Sequence, residues 1–223
     1  MGLGRNNITA GKAFALSLKF KRGDAFLDKP EFKVQEKVDD KYVDAGYEHD
    51  VAGDLVGLFI KESEWEGSAI RNYTLALKDQ ALNEIYFVQA SLGSMVGRGI
   101  ANSVLALTEE TLENVSIGLY ASKPNADGKV FPQASVRQND EIVRWKYGMD
   151  ELPKPEEIQF KGKTQRDYTA AEIFLYDGLK ALAEVIQNAS PQESESEQKP
   201  TSDSKPKSSS PEAADDVDED VPF

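Results

Sequence analysis

The chain has 223 residues with no cysteine and one histidine, His49. Without cysteine there is neither a disulfide framework nor a thiolate metal site, and a single histidine excludes His-pair zinc motifs and weighs against His-based catalysis, a Ser-His-Asp arrangement included. No apolar run approaches the ~20 residues that span a bilayer, so no membrane partner is expected. The first residues carry Arg5 and Lys12 without an apolar stretch, so no signal peptide is expected either, and the expected location is cytoplasmic. No P-loop or nucleophile elbow occurs. Asp39, Asp40, Asp44, Glu48, Asp50 and Asp54 crowd one region, but their spacing fits no Ca²⁺ loop and reads as a solvated acidic face. No cofactor, metal or catalytic group is expected, and the chain is not read as an enzyme.

What is present is charge, unevenly spread. Acids outnumber bases 39 to 26, a net of −13. From Ser190 onward there are 10 acids and 3 lysines; residues 1–189 hold 29 acids and 23 bases. Residues 1–23 carry five cations and no acid, whereas residues 24–66 carry 13 acids against 5 lysines. Screening limits each patch to about a Debye length, so a basic groove is compatible with an acidic total.

Phe14, Leu16, Leu18 and Phe20 alternate with smaller or basic residues, which predicts a strand over 14–21 with one buried face. A second short strand is expected over 32–37, and 39–46 reads as a turn-rich acidic connection. Three strands follow, at 55–61, 70–78 and 85–90. Gly53 and Gly57 suggest a bend or bulge in the first of them. Met95, Val96, Ile100, Val104 and Leu107 share a helical face within 94–107. Gly97-Arg98-Gly99 inside it reads as a tight helix contact rather than a phosphate cradle. Val115, Ile117 and Leu119 alternate, Pro124 to Gly128 signals a turn, and 129–137 returns, so 115–137 reads as a hairpin. A further strand is expected over 141–147. Thr169-Ala170-Ala171-Glu172 is a capping-box pattern opening a helix to about Asn188. Its stripe of Leu175, Leu179, Leu182 and Ile186 is expected to dock as core, with a homodimer contact as the alternative.

The order of three strands, helix and hairpin is that of an OB-fold barrel, so the expected class is mainly β with two helices, a decorated OB-fold barrel plus a disordered C-terminal tail. An unrelated β-sandwich with two helices would give a similar linear pattern. Three segments follow: a body over 1–189, a linker over 190–214 and a tip over 215–223. The linker is Ser-, Pro-, Glu-, Lys- and Gln-rich, without aromatic, Val, Leu, Ile or Met, and is expected to be disordered with a reach of roughly 25–30 Å. The tip places five acids in six positions, Asp215, Asp216, Asp218, Glu219 and Asp220 with Val217, before Val221, Pro222 and Phe223. Solubility alone does not call for a terminal aromatic. Phe223 offers a ring for an apolar pocket and a carboxylate for a basic clamp, while the acids would speed encounter with a basic surface.

This ending resembles the tip of bacterial and bacteriophage single-stranded DNA-binding proteins, in which an acidic run closes on a small apolar residue, Pro and Phe. The whole chain looks like the bacteriophage type, with an OB-fold body and an acidic tail. The resemblance implies sequence-non-specific binding of single-stranded DNA in replication, recombination and repair. It also implies that the tip recruits partner proteins (a polymerase, a primase or helicase, a nuclease), in a bacterial host cytoplasm if the chain is of phage origin. The competing reading of the tip is a purely solvating tail.

Single strands are held by a basic groove along phosphates and aromatic platforms under bases. With Val115, Ile117, Leu119 and Val136 inward, one outward hairpin face would carry Tyr120, Lys123, Lys129, Phe131 and Arg137. Phe131 and Tyr120 are the candidate platforms, unless other elements cover that face. Arg144 and Lys146 are candidate phosphate contacts, as are Lys19, Lys21 and Arg22 on the first strand, where a solvated edge is the alternative. Tyr73 and Trp145 read as core. Trp65, between Glu64 and Glu66, is a poor site for a polyanion. Two other classes remain as alternatives: an interaction adaptor that mimics the tail without binding DNA, and a metal-dependent nuclease carrying it.

Overall fold

The computed structural model describes residues 11–22, 25–39, 41–107, 112–160 and 162–189. The expected linker and tip lie outside the described residues. The body is mainly β with two helices. In chain order the elements are β1 (Lys12–Arg22), β2 (Ala25–Val38), β3 (Lys41–Glu48), β4 (Asp50–Trp65), β5 (Ser68–Asp79), β6 (Glu84–Ser91), α1 (Met95–Val104), β7 (Val115–Ala121), β8 (Pro132–Gln138), β9 (Glu141–Ile142), β10 (Glu156–Phe160), β11 (Lys163–Asp167) and α2 (Thr169–Ala189). No helix among the described residues is long and apolar enough to cross a membrane.

Nine strands form one sheet in the order β3-β2-β1-β6-β5-β4-β7-β8-β9. β4, β5 and β6 are an antiparallel meander, α1 follows, and β7 returns to pair with the start of β4. These pairings are shared with an OB arrangement; its closing pair, between the third and fifth strands, is absent among the described residues, where β1 takes the free edge of β6. β4 serves both neighbours because it bends: residues 50–53 pair with β7 and residues 54–65 with β5, with a register shift between Leu55 and Gly57. A Cβ on Gly53 would lie 2.8 Å from the Lys78 carbonyl, so the bend depends on glycine there. β1 is no appendage; it pairs parallel to β6 through Lys12–Ser17. Among the described residues no ladder joins the sheet's two ends, although β2 packs against β7 and β8.

Alternation places Leu16, Phe32, Leu58, Tyr73, Leu75 and Leu77 on the inner face, all essentially buried. Val96, Ile100 and Val104 of α1 and Leu175, Leu179, Leu182 and Ile186 of α2 complete the same core. The α2 stripe is therefore core within one chain. The helices meet closely at Gly178, where a Cβ would lie 3.1 Å from Leu105. The Tyr73 hydroxyl donates to the Gly97 carbonyl at 2.7 Å, and burial pushes its ionisation far above the ordinary range.

Three local expectations need correction, and one hairpin is new. Residues 41–48 form an edge strand rather than a turn-rich connection; all eight residues are exposed, so burial imposes no apolar period on them. Ala45, skipped in the pairing between Gly46 and Asp44, forms a bulge there. The strand expected over 141–147 stops at Ile142, because buried Asn102 captures the next segment: its amide donates to the Tyr147 carbonyl at 2.9 Å and its side-chain oxygen accepts from the Tyr147 N–H at 3.0 Å. At α2, Asp167 rather than Thr169 accepts at the helix start, from both the N–H and the hydroxyl of Thr169, and Glu172 turns toward Arg98 instead of back to the cap. The β10–β11 hairpin was not anticipated, since its polar strands lack a buried period.

Candidate nucleic-acid interface

The β7–β8 hairpin presents the expected faces. Val115, Ile117, Leu119 and Val136 are buried, while Tyr120 and Phe131 are exposed at 41% and 43%. Tyr120 lies opposite Gln133 of β8, two residues after Phe131 in the chain. The connecting loop is braced by its own bonds. The Asn125 side chain accepts from the N–H groups of Asp127 and Lys129, and the Ser122 hydroxyl accepts from the Phe131 N–H at 2.9 Å. Lys123 and Lys129 stand exposed on this loop and Arg137 on β8. Arg137 shares its hollow with Asp50 and Asp140, the least cationic setting of the group.

Beyond β9, residues 143–147 run as a strap along α1. The Val143 N–H donates to the Val136 carbonyl at 2.9 Å, and the Lys146 N–H donates to the Asn102 carbonyl at 3.1 Å. Arg144, Trp145 and Lys146 are all exposed. Trp145 is the main correction at the site: it is 51% exposed rather than core, because the strand that would have turned it inward ends three residues earlier. Between α1, β8 and the strap lies a cleft of about 520 Å³, into which Tyr120, Arg144 and Trp145 all contribute. The structure thus brings together two expected residues and one assigned elsewhere. A signal for Trp145 was present in its exposed cationic neighbours, Arg144 and Lys146.

The cations of β1 sit differently. Arg22 forks onto Glu31 with two bonds of 2.7 Å and lies over the Tyr47 ring at 4.4 Å. The fork holds the buried Glu31 carboxyl below the usual carboxylate range, although burial and charge shifts oppose one another there. Lys19 lies on the polar side of β1, opposite Glu31. Lys21 makes an interaction of its own.

A second hollow, of about 470 Å³, is lined by Lys61, Asn72, Thr74, Gln89 and Ser91 together with inward residues such as Tyr73 and Ala90, and no acid is among its described lining residues. Thr74 pairs with both Phe59 and Gln89, and the rings of Phe59 and Phe87 lie 6.4 Å apart. Sequence reasoning missed Phe59, Phe87 and Lys61; their shared parity on β4 and β6 was the available signal. By contrast, the hollow at the other end of β4 gathers Asp54, Asp79, Glu113 and Asp140 around Lys78.

Arg98 settles the glycine-flanked motif in α1. Its guanidinium donates to the Leu92 carbonyl at 2.8 Å, lies over the Tyr168 ring at 4.3 Å and meets Glu172 at 3.5 Å. Burial lowers its ionisation. A Cβ on Gly97 would fall 2.0 Å from the Ser91 carbonyl oxygen, so this glycine marks a tight contact, as expected. Among the described residues no group of three or more His, Asp or Glu side chains is placed to hold a metal ion.

The tip residues Asp215, Asp216, Asp218, Glu219, Asp220, Val221, Pro222 and Phe223 lie outside the described residues. No protein-family model matches the chain, and neither a curated protein nor a solved structure matches it.

Proposed function

We propose that this protein binds single-stranded DNA without sequence preference, in replication, recombination and repair, and that its acidic tip engages partner proteins. One observation carries the DNA reading. Among the described residues Lys123, Lys129, Arg137, Arg144 and Lys146 form no ion pair, in a chain whose acids outnumber its bases 39 to 26. These cations accompany three exposed aromatics, Tyr120, Phe131 and Trp145. Cations beside exposed rings are what a strand of phosphates and unstacked bases requires. Lys61, on the same side of β4 as Phe59, extends the same chemistry to that face of the sheet.

The test is a titration with fluorescein-labelled oligo-dT, followed by anisotropy at several salt concentrations. Log K should fall with log salt by about 0.7 per phosphate neutralised, so four to six contacts give a slope of roughly −3 to −4. A flat response removes the groove. Absence of binding at low salt favours the adaptor reading, and Mg²⁺-dependent cleavage of the oligonucleotide favours the nuclease. For the tip, replication and repair proteins captured from a bacterial lysate by the intact chain should be lost when Phe223 alone is deleted. Equal capture by both chains would make the tip a solvating segment.

A further inference from the structure

The cleft between α1 and the strap has features that a cationic surface alone does not need. Its walls include Met95 at 50% exposure and Ile142 at 64%, with Trp145 beside them. Large apolar side chains left half in water at one place mark a surface built for contact. The strap that carries Trp145 is fixed at both ends, by Val136 on one side and by the buried Asn102 amide on the other. Little backbone freedom therefore remains to be lost when a ligand meets the indole. Gly99 lines the cleft as well, and a Cβ there would lie 3.8 Å from Trp145 Cζ2, an ordinary contact. Packing does not demand glycine at this position, in contrast to Gly97 two residues earlier.

We infer that this cleft is a base-binding site, which takes an unpaired nucleobase from a single strand against the Trp145 ring, with Arg144 placed for an adjoining phosphate. The inference rests on the single-stranded DNA reading. The lining fits such a ligand in three respects. The cleft, of about 520 Å³, is of small-ligand size. Its apolar walls meet neutral polar groups at Ser103, Gln133 and Ser135, which suits a flat ring with hydrogen-bonding edges. Among the described residues Arg144 is the only charged one lining it and no acid there repels phosphate, unlike the hollow around Asp54 and Asp79. Every base offers a π-face, so stacking here adds affinity without sequence preference.

The chain's two tryptophans allow a direct test. Trp65→Phe leaves Trp145 as the sole indole; Trp65 sits 67% exposed at the end of β4. Oligo-dT is titrated while anisotropy of the labelled strand and tryptophan emission are read together. Trp145 emission should be quenched along the same curve as the anisotropy rise. Trp145→Ala should weaken binding about tenfold, and Trp145→Phe should keep most of the affinity. Gly99→Leu, which fills the cleft and leaves the indole in place, should also weaken binding. Full affinity in Trp145→Ala, or an anisotropy rise without a change in Trp145 emission, would overturn the base site and leave the DNA reading standing. No anisotropy rise at low salt would overturn both.

Discussion

The cations of the first six strands and those of the hairpin and strap are the same residue types in different company. In the first group Arg22 forks onto Glu31, Lys33 meets Asp44 at 2.8 Å, Arg71 meets Glu62 at 2.9 Å and Lys12 meets Glu36 at 3.5 Å, whereas Lys19, Lys29, Lys41, Lys61 and Lys78 form no ion pair among the described residues. In the second, Lys123, Lys129, Arg137, Arg144 and Lys146 form no ion pair among the described residues, although Arg137 shares a hollow with Asp50 and Asp140. A paired cation has already spent its field on a neighbour. An unpaired one remains available to a polyanion, and its counterions are there to be released. Net charge is thus a poor guide to what this protein can bind; the pairing pattern is the better one.

The strongest way to break this comparison is to neutralise the strap. Arg144→Gln with Lys146→Gln should lower the salt slope by about 1.4 and weaken oligo-dT binding about twentyfold at roughly 0.1 M salt. Thermal stability should not change. Arg71→Gln, which removes a paired cation, should leave the salt slope where it was; an equal loss in both variants would make pairing irrelevant. Next in size is Arg98→Met. It removes the bond to the Leu92 carbonyl and the Glu172 contact and should destabilise the fold by about 1–2 kcal/mol in urea denaturation, without altering DNA affinity once folded. A fall in affinity with the fold intact would place Arg98 among the binding cations.

Gly99→Ala should move stability and binding in opposite directions. The new methyl finds room beside Trp145 and adds helix propensity, so stability should rise by about 0.5–1 kcal/mol, read as a higher urea midpoint, while the narrowed cleft weakens oligo-dT binding by a smaller factor than Trp145→Ala. The smallest effect concerns Glu31 and is confined to acid. Its carboxyl titrates below the ordinary value in the folded state, chiefly because Arg22 donates to it. Its contribution is therefore complete above the unfolded value near 4.3 and lost as pH falls through the lower folded value. Thermal melts from about pH 6 down to about pH 3 should show that loss in the parent and a shallower acid limb in Glu31→Gln; identical limbs would deny the fork a part in acid stability.

Much of this architecture was legible from apolar period alone. Leu75 and Leu77 with Tyr73 announced an inward face, and Val115, Ile117 and Leu119 did the same for the hairpin; all six are buried. Burial on one face forces a period on a strand, and that period survives in the sequence. β3 and the β10–β11 hairpin carry no such burden, so their strands left little trace. The site divides in the same way. The exposure of Tyr120 and Phe131 was legible because a neighbour's inward parity fixes theirs outward. Trp145 was misplaced because parity holds only while a strand continues, and one buried amide, on a helix 45 residues away along the chain, ended it.

The amino-acid sequence by itself determined the class of fold, the two helices, the parity of the hairpin and the acidic balance, since these depend on periodicity and composition within short windows. Tertiary structure alone decided which cations are paired, that Trp145 faces outward, and that α1, β8 and the strap enclose a cleft. Those are properties of groups far apart in the chain. Asn102 and Tyr147, or Arg98 and Glu172, meet only because helices and sheet have already packed, and no local pattern records a contact that the packing creates.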